Sequence, residues 1–193
     1  MTEKSSQNLD LAQQEKTTAE GFKISGVNET SLIRSLSLLN GISIDRLEAQ
    51  MRPGVLSNAG FLGKDESLTQ VLAKDNDAVL GMGLTHQKLA DFLFHASEGD
   101  YFSSNFKNFE YNGRKFTRHC VVSMGFQESP FEDGTMGNEE YDIVCLENNL
   151  AIRFSTLLPF MIERYGFYEG KGTPYRVEPK KVAEIAGLIP QSK

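Results

Sequence analysis

Long hydrophobic runs are missing from this sequence: no stretch approaches the roughly 18 apolar residues that a membrane-spanning helix needs. The opening residues, MTEKSSQNLDLAQQEK, also lack the apolar segment of a secretory signal peptide. Cysteine is scarce. Cys120 and Cys145 are the whole complement, too few for a disulfide framework and without the C-x-x-C spacing of metal or redox motifs. These absences lead us to expect a cytoplasmic protein of a reducing compartment, with no membrane association, no metal and no cofactor. Concentrated positive charge is missing too. The formal net charge is −6, and only Arg114, Lys115 and Arg118 cluster. That argues against nucleic acid as a partner, because phosphate neutralisation supplies most of such affinity.

What is present reads as one α+β domain. Residues 1–20 are polar and almost free of aromatics, so they cannot bury enough surface to offset ordering entropy, and we expect a disordered tail there. The domain then runs over 21–193, with a helical part at 28–99, a sheet part at 101–155 and C-terminal helices at 156–193. An extended segment at 22–27 leads into a first helix in which Leu32, Ile33, Leu36 and Leu39 recur at helical spacing before Gly41. A short helix at 43–51 ends at Arg52-Pro53-Gly54, because proline disfavours helix in the residue before it. A third, capped by Asp65, carries Leu68, Val71, Leu72, Val79 and Met82 on one face, with Lys74, Asp75, Asn76 and Asp77 as a polar patch. Thr85 caps a fourth, which Gly99 closes.

From residue 106 the apolar period becomes two. Strands at 106–111 and 114–126 flank Asn112-Gly113, the pair that supplies the positive φ angles of a type I′ hairpin turn. Phe116, Cys120, Val122, Met124 and Phe126 form the apolar side of the second strand, expected to face the core. An acidic loop over 127–140 precedes a second hairpin, 141–146 with 150–154, completing a four-strand antiparallel meander. A helix to Tyr165 follows, then a Gly-rich loop, a short strand at 175–177 and a terminal helix opened by Pro179.

Several attractive motifs fail on spacing. Gly166 to Thr173, GFYEGKGT, has too few residues before Gly-Lys and the wrong residue after it for a phosphate-binding loop. The segment GLTHQKLA resembles the opening of a helix-turn-helix, but HASEGDYFSSN supplies no cationic recognition helix. His119 and Cys120 are adjacent on a strand and therefore point to opposite faces, which excludes a dyad. His95 sits four residues after Asp91, a spacing that suits a surface pair. What remains is one polar sheet face. His119, Asp142 and Arg153 share it in the expected register, a set suited to acid-base chemistry or to holding an anionic ligand.

Three stretches, MRPG with GFLG (51–63), GLTHQKLA (83–90) and YGFYEGKGTPYRVEP (165–179), resemble an uncharacterised group of bacterial proteins of unknown function. The resemblance implies a bacterial source and a single-domain unit, and no activity. It also singles out Tyr165, Glu169, Tyr175 and Arg176 as ligand-binding candidates. Three functions follow in order of preference. The first is a non-catalytic interaction or accessory protein that binds a protein partner, a second copy of itself or a small anionic ligand. The second is a small-molecule enzyme with an acid-base site around His119. The third is a helix-turn-helix DNA-binding regulator.

Overall fold

The computed structural model describes residues 42–99 and 106–191. The tail at 1–20, the extended segment at 22–27 and the first helix expected by 41 lie outside those residues. Three described helices precede the sheet: α1 (Ile44–Met51), α2 (Leu68–Gly81) and α3 (His86–Ser97). Ser43 caps α1 by accepting from the Arg46 N–H, and Thr85 caps α3 by accepting from that of Lys88. The start of α2 departs from the sequence reading. Ser67, not Asp65, holds the N-cap position and makes no side-chain cap bond. Instead Glu48 of α1 reaches across and accepts from the Leu68 N–H at 3.1 Å. A cap supplied by another helix is invisible to local sequence patterns.

The sheet is a meander, β1 (Lys107–Tyr111), β2 (Arg114–Glu128), β3 (Met136–Cys145) and β4 (Ala151–Ser155), antiparallel throughout. Asn112 and Gly113 adopt φ of 48° and 70°, as their turn requires. One face carries Phe116, Tyr141, Ile143, Cys145, Ile152 and Phe154, which are buried against the helices in a single core. Arg118 shares this face and stays buried because its guanidinium donates to the carbonyls of Ala96 and Glu98, the unsatisfied end of α3.

The sheet differs from expectation in two places. Phe116 and Cys120 are buried, but Val122, Met124 and Phe126 are not. β1 pairs with β2 only as far as Arg118, and the β2–β3 register breaks between Val122 and Gln127, so this stretch leaves the packed layer as a bulge. The acidic loop is also much shorter than 127–140. Gln127 and Glu128 pair with Gly137 and Met136, which extends both strands and leaves a turn anchored by buried Phe131.

α4 (Leu157–Tyr165) ends at Gly166 in the left-handed region, and α5 (Pro179–Ile185) begins on its proline. Residues 175–177 form no strand, because Arg176 is drawn into a buried ion pair instead of a ladder. The polar patch expected on α2 is half core. Asp75 and Asn76 are buried, Asp75 against Arg176 and Asn76 against His86. His95 bonds the Glu110 carbonyl and faces Glu98, while Asp91 takes Gln87. No helix among the described residues is long and apolar enough to cross a membrane.

Candidate functional site

The row read from the sequence is present as geometry. His119 is directly opposite Asp142, and Asp142 opposite Arg153, so all three side chains share the face turned away from the core. His119 Nδ1 is 3.8 Å from Asp142 Oδ2, and Arg153 Nε is 3.9 Å from Asp142 Oδ1. Phe106 stacks on the imidazole with ring centroids 5.0 Å apart. The row is solvent-facing, with about half of the Asp142 and Arg153 side chains exposed. Continuing the same alternation adds Glu140 on β3 and Ser155 on β4, which pair with each other. Arg153 bonds Glu140, and so ties the row to what lies beyond it.

Beyond it is a cavity of about 400 Å³. Its walls come from the loop after α1 (Ser57, Gly60, Phe61), the β2 bulge (Ser123, Gly125, Phe126), β3 (Glu139, Glu140), the β4–α4 junction (Ser155, Leu157) and the Gly-rich loop (Glu169, Pro174, Tyr175). The two loops are joined by backbone. The Gly170 N–H donates to the Phe61 carbonyl at 2.8 Å, and Glu66 Oε2 accepts from Gly63 and Lys171 N–H groups at 3.0 and 2.8 Å. Only glycine fits at 170, where a Cβ would come within 2.6 Å of the Gly63 nitrogen.

Two residues of this lining each bury a polar atom without a hydrogen-bond partner, Glu169 Oε1 and Ser155 Oγ, and both atoms are closed off from solvent. Buried polar groups are satisfied in the great majority of cases, so an orphan calls for an explanation. Glu169 is 1% exposed, and its backbone has φ of 65°, a left-handed conformation uncommon outside glycine. Burial pushes its carboxyl up to about 8, against the opposing effects of Thr173, Arg176 and the Tyr175 backbone. Glu169 is therefore mainly a neutral acid near pH 7. Glu140 behaves oppositely. Burial raises it, but hydrogen bonds with Tyr175 and Arg153 outweigh burial and hold it below the usual carboxylate range. Glu139 is occupied by Thr156, whose hydroxyl bonds its carboxylate.

The other two residues singled out by the third stretch support the fold. Arg176 makes a bidentate pair with Asp75 at 2.5 and 2.6 Å, donates to the Glu169 carbonyl at 2.6 Å and pairs with Glu178 at 3.0 Å. It clamps the loop that carries Glu169. Tyr165 stacks on Phe131 with centroids 3.9 Å apart and donates to Asp133 at 3.0 Å. Neither lines the cavity.

The GLTHQKLA stretch supplies a second buried network. His86 Nδ1 lies 2.9 Å from Tyr168 Oη, and Nε2 lies 3.2 Å from Asn76 Oδ1. An amide oxygen only accepts, so Nε2 carries the proton and Tyr168 donates to Nδ1. Burial lowers His86 to about 4, which keeps it neutral. Among the described residues no group of three His, Cys, Asp or Glu is placed to hold a metal ion.

Sequence reasoning missed Glu139, Glu140, Ser155 and the 57–61 wall. For Glu140 and Ser155 a signal existed, since each lies two residues along its strand from a residue already assigned to the polar face. In comparisons with known proteins, the chain matches no family model, no curated protein and no solved structure.

Proposed function

We propose that this protein is a non-catalytic accessory protein that binds a small molecule in the cavity between the β2 bulge and the Gly-rich loop. The observation that carries the reading is the cavity itself, walled by segments distant in sequence that include Phe61, Gly125, Glu140, Ser155 and Glu169. A volume of about 400 Å³ falls in the range of small-ligand sites. The lining suits that use. Phe61, Phe126, Leu157 and Pro174 supply apolar wall, and a few polar groups are held by surrounding structure. The loops are also fixed by glycine close approach and the Arg176 clamp, which preorganises the walls before a ligand arrives.

Gly125 gives a direct test because it lines the cavity and has open space where a Cβ would stand. In a thermal-stability screen against a small-molecule library, the wild type is expected to gain several degrees with at least one compound, since ligands that bind only the native state stabilise it. Gly125→Leu is expected to melt near the wild-type temperature and to lose that gain. A library that stabilises neither protein, or both equally, counts against the cavity.

One observation favours catalysis as a second reading. Glu140 and Glu169 line the same cavity and are pushed in opposite directions, as an ionised base and a neutral acid would be. Recovery of a bound compound chemically unchanged after prolonged incubation supports the accessory reading. Conversion that Glu169→Gln abolishes replaces it with the enzymatic one.

A further inference from the structure

We propose that two copies of this chain associate through the outer edge of β2, the stretch from Cys120 to Glu128 of one copy lying antiparallel to the same stretch of the other. β1 pairs with β2 only as far as Lys107, opposite Arg118. β2 runs on to Glu128, and no strand among the described residues pairs with that side of it. Its backbone faces the right way. Lys115 accepts from the Leu146 N–H and donates to Glu147, both at the end of β3, so alternation turns the peptide groups of Cys120 and Val122 to the opposite, open side. Such a row is a template for another strand. Its side chains are apolar as well as exposed: Val121, Val122, Met124 and Phe126 on β2, with Phe106 just before β1 and Met136 on β3.

The residues of the stretch indicate which strand fits. From Cys120 to Gln127 the sequence CVVSMGFQ has no charge and no proline, two devices that commonly guard an exposed edge. A bulge is a third such device, and the one between Val122 and Gln127 leaves Met124 and Phe126 in solvent instead of withdrawing them. Charge is confined to the ends. Lys107 and Arg118 stand at one end and Glu128 at the other, so antiparallel self-pairing sets the acidic end of each copy beside the basic end of its mate. Parallel pairing would oppose like charges. Arg118 is held by the α3 carbonyls, so Lys107 is the basic group that Glu128 of the second copy approaches. Identical edges joined about a twofold axis near Met124 satisfy each other equally and are both consumed, so assembly closes at two copies. The proposal stands apart from the cavity reading, since Met124 does not line the cavity.

The test is sedimentation equilibrium of the full chain from about 1 μM to 1 mM, with amide hydrogen exchange at both limits. A monomer–dimer equilibrium without larger species is expected, and the Cys120–Phe126 amides should exchange about tenfold or more slowly where dimer prevails. Met124→Lys changes a fully exposed side chain, so it should fold as the wild type does and weaken association about tenfold or more. Glu128→Lys should weaken association about fivefold, and adding Lys107→Glu should restore it. A dimer that Met124→Lys leaves intact overturns this edge as the interface. A dimer weakened by Glu128→Lys and not restored by the charge exchange overturns the antiparallel arrangement. A monomer at every concentration overturns the proposal outright. Protected Cys120–Phe126 amides in that monomer would place another segment of the same chain on the edge, and unprotected ones would leave the edge to an unlike partner.

Discussion

Two sets of buried polar groups in this protein, each with a member in the Gly-rich loop, are built to opposite standards. On one side, Asp75 with Arg176 and His86 with Tyr168 and Asn76 form closed sets in which each named group has a partner of matching chemistry. On the other, Glu169 Oε1 and Ser155 Oγ are buried with none, in two residues that line the cavity. The difference separates groups that stabilise the fold from groups that cost it stability. A satisfied network fixes a conformation, whereas an unpartnered buried group is a cost that the rest of the fold must offset. The clusters are also joined, since Arg176 donates to the Glu169 carbonyl. The closed cluster holds the open one in shape.

Substitutions can break this contrast in descending order of effect. Asp75→Ala leaves the Arg176 guanidinium buried without its bidentate partner, and unfolding in urea should report a loss of about 3–5 kcal/mol. The Glu169 carboxyl supplies a pH signature. Its folded value of about 8 lies above its ordinary 4.5, so its stabilising contribution is complete below about 4.5 and is lost as pH rises through 8. Between pH 5 and 8 the wild type should lose on the order of 3 kcal/mol that Glu169→Gln does not lose. A parallel pH profile for the two proteins would contradict the buried neutral acid.

Tyr168→Phe removes the donor to His86 Nδ1 inside the closed cluster and should cost about 1–3 kcal/mol by denaturant titration. Ser155→Ala deletes an atom that already lacks a partner, so its effect should be near zero or slightly stabilising, within about 0.5 kcal/mol. The contrast sharpens if these two conservative changes differ as stated. Equal costs would mean that the Ser155 hydroxyl is satisfied in solution by the protein itself. His119→Ala lies on the exposed row, and its effect on stability should also stay within about 0.5 kcal/mol.

Local signals carried much of the fold. Asn112-Gly113 announced the first hairpin, Gly166 the end of α4 and Pro179 the start of α5, because each is a conformational demand that a single residue type answers. Period-two alternation placed His119, Asp142 and Arg153 on one face, as the register has them. The failures share a cause. Glu48 capping α2, Arg176 drawing Asp75 into the core and the bulge that releases Val122, Met124 and Phe126 all depend on residues distant in sequence. The same holds for the cavity. Glu169 and Tyr175 were legible as members of an unusual Gly-rich string, but the loop at 57–61 that faces them is brought there only by tertiary contacts such as Gly170 N–H to the Phe61 carbonyl.

The most direct measurement is an amide chemical-shift map of the full chain titrated with a library of small polar and aromatic fragments. Binding in the cavity predicts that the strongest perturbations cluster on Phe61, Ser123, Gly125, Glu140, Glu169 and Tyr175. The Leu89–Leu93 stretch of α3, which does not line the cavity, should move little. Perturbations confined to the His119 row, or none at the cavity amides with any fragment, would contradict the account.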